Sequence, residues 1–248
     1  KDTWSGLLPT ADEQSGDGPF ASIERARDAA REKGGTNTIA LGKGDYYLAR
    51  PIVFDSRDKG LIVTARCDEA PILHGGQRVR NWAQEADGRW TAPLKLPPDE
   101  AVGDLFVNGM RQTRARFPNA PADGDPRKGW LFAAKCNPAI DVREGNTRFC
   151  FHAGDLPAVG DTSGLVVDIV GGYQPGSQWG NDTLPVVSIN GASRTVYTEG
   201  TGYFFTAEGS RYFLAGAKAL LDAPGEWWYD LAAGQLHYIP VDQSLPNS

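Results

Sequence analysis

Thirty-one acidic residues are spread through the chain, and none falls in a motif that marks a catalytic pair. Hydrolysis of a glycosidic bond uses two carboxyl groups flanking it, roughly 5 Å apart for retention and about 6.5–9.5 Å for inversion. Asp182, Glu199, Glu226 and Asp230 stand where turn, cap or surface roles are the commoner ones. His152 and His237 have no neighbours at metal-ligand spacing, so no metal site is read. There is no Ser-His-Asp order and no phosphate-binding loop, and no cofactor is expected.

Residues suited to holding a polar substrate are easier to find. Arg114 and Arg116 are two apart, which on a strand puts them on one face. They are either donors to sugar hydroxyls or uronate carboxylates, or structural arginines tied to nearby Asp or carbonyl groups. Residues 171–182, GGYQPGSQWGND, form a polar, Gly-rich loop carrying Tyr173 and Trp179 and ending at Asp182. An aromatic ring in such a loop either stacks on the apolar face of a pyranose or packs into the protein. The expected substrate-contacting set is Arg114, Arg116, Trp179 and Asp182, with the catalytic residues unassigned.

Composition excludes several partners. A net charge of −6 without a basic run argues against nucleic acid. No apolar run approaches the roughly 20 residues that cross a bilayer as a helix. Thirty Gly and seventeen Pro among 248 residues imply many turns and favour β structure. Cys136 and Cys150 flank a short polar loop and could pair, although spacing alone does not supply the geometry. Cys67 reads as a lone buried thiol.

The elements that position these residues follow from run lengths. Residues 19–35, PFASIERARDAAREKGG, are one amphipathic helix, with Ser22 as N-cap and Gly34-Gly35 as its stop. Short β-branched or aromatic runs at 38–41, 46–48, 51–54, 61–65 and 71–74 are each closed by turn residues, too closely spaced for helical crossovers. That pattern fits a chain coiling on itself as a parallel β-solenoid, capped by the helix. Further strands are expected at 105–108, 110–117, 130–134, 147–152, 164–170, 184–189, 195–198 and 203–205. A helix is expected at 211–221, and a hairpin at 226–240.

The segments WSG (4–6), DGPFASIERARDAAR (17–31), GKGDYYLARPIVF (42–54), APILHGG (70–76), DLFVNGMRQTRARFPNA (104–120), FCFHAGDLPAV (149–159), WGNDTLPVVSI (179–189) and RYFLAGAKALLDAPGEWWYDLAAGQLHYIP (211–240) resemble the opening of bacterial right-handed parallel β-helix proteins acting on polysaccharides. The resemblance is greatest to β-helix glycoside hydrolases with α-L-fucosidase or xylanase activity, and smaller to β-helix polysaccharide lyases. It implies a mainly β fold: an N-terminal cap and first β-helix coil over 1–80, an inserted β-sandwich or barrel-like module over 81–205, and a return to the β-helix over 206–248. It also implies a secreted protein, extracellular or periplasmic, that contacts polysaccharide or oligosaccharide, with catalytic groups beyond residue 248. The alternatives are a polysaccharide lyase and a non-catalytic carbohydrate-binding or structural module. Because nothing after Pro240 resembles a second cap, the C-terminal remainder of the same protein or a second chain is expected to cover the open solenoid end.

Overall fold

Helix formation begins with a side-chain cap at both steps. In the computed structural model, which describes residues 1–97, 100–137, 139, 147–172 and 178–242, Asp2 accepts the backbone N–H groups of Ala21 and Ser22 and the Ser22 hydroxyl at 2.8–2.9 Å. Ser22 Oγ in turn accepts from Arg25 N, and helix α1 runs Ile23–Lys33. It stops at Gly34, whose φ of +69° suits glycine and whose N–H returns to Ala30 O. The expected helix and both of its ends are therefore present.

The chain divides into two units, Lys1–Arg78 and Val79–Ser248. In the first, β1 (Asn37–Leu41) and β2 (Gly44–Tyr47) are followed by β3 (Leu61–Ala65) and β4 (Pro71–His74). β3 pairs parallel to β1 and β4 parallel to β2, so the later segment retraces the earlier one. Ile23, Ile39 and Leu41 form the core, with Ala26, Tyr46, Ile52 and Leu61 against it. The run 51–54 is not a strand. Pro51 lacks an N–H, Val53 O is taken by Arg27 Nη1 at 2.8 Å, and Asp55 caps a single 3-10 turn, Ser56–Asp58. Cys67 is free as expected but exposed rather than buried, because the chain turns there with Asp68 at φ +58°.

The second unit carries β5 (Ala83–Gln84), β6 (Trp90–Pro93), β7 (Phe106–Val107), β8 (Met110–Arg111), β9 (Thr113–Arg114), β10 (Arg116–Phe117), β11 (Leu131–Phe132), β12 (Arg148–Cys150), β13 (Val166–Gly171), β14 (Gly180–Asn190), β15 (Thr195–Thr198), β16 (Arg211–Ala215), β17 (Glu226–Asp230) and β18 (Gln235–Tyr238). A five-stranded sheet has the order β5-β6-β18-β17-β9. A seven-stranded sheet has the order β10-β16-β13-β14-β15-β12, with β11 also on β16. β7 and β8 form a hairpin turning at Asn108-Gly109. Neither large sheet closes on itself, so the barrel-like alternative for the module is corrected to open sheets. The molecule is mainly β.

Two sequence expectations fail here. Residues 211–221 are not a helix: Tyr212 and Leu214 point into the core while Arg211 and Phe213 take the opposite face, and β16 has partners on both sides. Gly216, at φ +88°, ends the strand before a 3-10 turn at Lys218–Leu220. Residues 203–205 make bends rather than a strand, joined to β13 by one parallel bridge, Gly172 with Thr206. In the first segment, pairing available in the folded chain overrides local spacing, and in the second, bonds to Asp182 and Gly172 hold an irregular backbone. The expected 226–240 hairpin is present as β17 and β18.

The two sheets meet at Ala115, fully buried, where the chain passes from β9 in one to β10 in the other. Ala115 N donates to Trp227 O, and Gly216 N donates to Ala115 O. Cys136 and Cys150 are joined by a disulfide with Cα atoms 5.3 Å apart. Among the described residues no helix is long and apolar enough to cross a membrane.

Candidate functional site

β13 and β14 end on a pair of facing glycines, Gly171 and Gly180. A Cβ on Gly180 would overlap the Phe204 ring, and one on Gly171 would stand 3.0 Å from Phe204 Cβ. The ring thus lies on bare backbone at the end of the hairpin. The 203–206 segment is held there by Gly172 N donating to Phe205 O at 2.8 Å, and by Tyr203 N donating to Asp182 Oδ2 at 3.0 Å. Asp182 therefore fixes the backbone that carries the aromatic residues.

On this base stands an exposed aromatic shelf. The Trp179 ring lies 4.9 Å from Phe204 at an interplanar angle of 51°, and the Tyr203 ring 4.7 Å from Phe204 at 76°. Trp179 is 78% exposed and Tyr203 82% exposed. Tilted and edge-on aromatic contacts at these separations are favourable by about 0.5–1.5 kcal/mol each, enough to orient rings but little for burial. Packing does not account for two such large rings left in water beside a third. What they offer is ring surface for the C–H face of a sugar, with polar groups close by.

The four expected contact residues fall into two groups. Trp179 and Asp182 both serve the shelf. The expected single strand under Arg114 and Arg116 is split: Arg114 is on β9 of the five-stranded sheet, and Arg116 is on β10, on the outer face of the seven-stranded sheet opposite the Val167, Ile169, Tyr212 and Leu214 core. Arg116 Nε donates to Pro118 O at 2.9 Å and Nη2 to Gly129 O, while Arg114 Nη2 donates to Gly164 O at 3.2 Å. These carbonyl ties fix where the two guanidinium groups lie. Burial pushes both guanidinium pKa values below the ordinary one, partly offset by Asp168. Tyr173 lies outside the described residues.

Sequence reasoning missed Tyr203 and Phe204, although the run Tyr203-Phe204-Phe205 behind Gly202 was a signal. Reading that run as a strand sent its rings to alternate faces. Glu226, placed among surface or turn carboxylates, is 2% exposed. Its two oxygens accept from Arg116 N at 3.2 Å and from Asp222 N and Ala223 N at 3.1 Å, which fastens the crossing at Ala115. Burial raises its pKa, with the backbone donors opposing. A carboxyl so enclosed is positioned to hold backbone rather than to meet a substrate. Asp230 caps the β17–β18 turn through Ala233 N. Among the described residues no group of three or more His, Cys, Asp or Glu is placed to hold a metal.

The sequence matches no protein-family model and no curated protein. Its fold is similar to that of a solved structure described as "Glycoside hydrolase", with a TM-score of 0.76 and 20% identity over the whole of this chain. The chain spans 43% of that protein's length. Likeness at this identity establishes shared architecture.

Proposed function

We propose that this chain is part of a secreted carbohydrate-active protein of the glycoside hydrolase kind, and that it contacts glycan through the Trp179, Tyr203 and Phe204 shelf. The observation that carries the reading is the shelf itself: two large rings in solvent, braced by a third that rests on paired glycines, with Asp182 holding the backbone. The similarity in fold to a glycoside hydrolase is consistent with it. The disulfide agrees with an extracellular or periplasmic setting.

The first unit is the start of a right-handed parallel β-helix in this reading. Support comes from the two parallel pairs, β1 with β3 and β2 with β4, and from the helix whose Ile23 and Ala26 pack against Ile39 and Leu41. Among the described residues strands β3 and β4 each have one partner, and Ile62, Val63, Ile72 and Leu73 are exposed along them. Further polypeptide, the remainder of the same protein or a second chain, covers that edge and brings the catalytic carboxyl groups. A lyase would instead require a base and a cation facing a uronate, and a non-catalytic module would require no added coils.

Affinity electrophoresis in soluble xylan and other neutral polysaccharides tests the shelf. Replacing Trp179 or Tyr203 by Ala should weaken retardation about tenfold or more while leaving the melting temperature within a degree or two. Unchanged retardation in both variants would remove the sugar-binding reading.

A further inference from the structure

The outer face of the seven-stranded sheet concentrates cations in a chain whose net charge is −6. Arg211 and Phe213 on β16, Asp168 on β13, Thr183 on β14 and Arg116 on β10 share this face, as their pairing registers require. Arg114 enters beside them, with its guanidinium over Gly216. A side chain at Gly216 would collide with that group, and its φ of +88° disfavours one in any case.

Cations and rings alternate across the face. The Arg116 guanidinium lies 3.5 Å from the Phe213 ring centroid, the Phe213 and Trp130 rings are 5.1 Å apart, and the Arg211 guanidinium lies 4.9 Å from the Trp130 ring. Trp130 is fixed by its indole N–H on Pro126 O at 2.9 Å. Phe132, opposite Arg211 in register, is exposed. Arg114 and Arg116 both feel the charge of Asp168, whose Oδ1 already accepts the Thr183 hydroxyl at 2.6 Å. Glu226 also acts on Arg116, but its oxygens are taken by three backbone N–H groups. One carbonyl bond of Arg114 and two of Arg116 use fewer than half of the N–H donors that the two guanidinium groups carry together. Stacking and carbonyl bonds hold the groups in place, and among the described residues none of the three arginines makes an ion pair.

We infer that this face, Arg114, Arg116 and Arg211 with Trp130 and Phe213, is a second glycan site that takes an acidic sugar, its carboxylate on the guanidinium groups and its ring against the aromatic side chains. A planar guanidinium matches a carboxylate with two parallel hydrogen bonds. Partial burial strengthens the attraction by excluding water, and the lowered guanidinium pKa values report that burial. The inference rests on the carbohydrate-binding reading, but it uses different residues from the shelf.

Calorimetric titration of the whole chain with oligogalacturonate, xylo-oligosaccharide and inorganic sulfate separates the cases. Oligogalacturonate should bind, weaken with added salt, and lose about tenfold or more in affinity in Arg211→Gln and Arg114→Gln while both variants keep their affinity for xylo-oligosaccharide. Arg211 is exposed and its substitution does not threaten folding, so that variant decides if Arg114→Gln proves unstable. Equal affinity in Arg211→Gln, dependence on Trp179 alone, or displacement by sulfate at matched concentration would overturn the site. Xylo-oligosaccharide binding that survives such a failure would leave the shelf and the proposed function standing.

Discussion

At the scale of single residues, Glu226 shows how a carboxyl can be central without chemistry. Its pKa is raised because burial disfavours the charged form. The folded state therefore keeps the proton to a higher pH than the unfolded chain does. The cost of the buried charge is present above the folded pKa and is relieved as pH falls through it toward the unfolded value. The second unit should accordingly gain stability on moving from neutral to mildly acidic pH. The gain reverses in stronger acid, where Asp123 and Asp125, held below the usual carboxylate range by Lys128 and Arg127, become protonated. Glu226→Gln should abolish the rise and lower the melting temperature at neutral pH by several degrees, since one amide oxygen cannot accept from both groups of backbone donors. Melting curves of both proteins between neutral and mildly acidic pH check this. An identical pH profile in the variant would rule Glu226 out as the source.

At the scale of elements, the β13–β14 hairpin decides whether the shelf exists, because its terminal glycines make room for Phe204. Gly180→Ala should displace that ring, cost about 1–3 kcal/mol of stability, and weaken neutral-glycan binding several-fold without touching Trp179 itself. Retention of full binding would show that the rings act independently of their base. Much at this scale was legible in the sequence. Ser22 and Gly34 marked the ends of α1. Trp179 and Asp182 were singled out from loop composition. What was not legible depended on partners distant in the chain. The spacing of Phe213, Leu214, Ala217, Leu220 and Leu221 suits a helix, and only β10, β11 and β13 beside it make 211–215 a strand. The same error hid Arg211 and Phe213 from the outer face. Tyr203 and Phe204 were lost because their place is set by Gly172 and Asp182, each about 20 to 30 residues upstream.

At the scale of the whole molecule, the first unit has, among the described residues, a parallel edge with one partner per strand. Unpaired strand groups beside exposed Ile62, Val63, Ile72 and Leu73 are a surface for association. The chain alone should self-associate with rising concentration and bind a dye that reports exposed apolar surface, as followed by light scattering after size exclusion. A monodisperse monomer that binds no such dye would contradict the view that further polypeptide completes the coil. Whether that polypeptide brings hydrolytic carboxylates is a separate matter from whether this chain grips glycan. The latter is the central claim, and the seven indole N–H signals of the protein give direct access to it. Titrating xylo-oligosaccharide while recording those signals by NMR should move the resonance assigned to Trp179, through its loss in Trp179→Phe, and leave buried Trp90 and Trp227 in place. A titration that reaches saturating sugar with the Trp179 resonance unmoved would contradict the account.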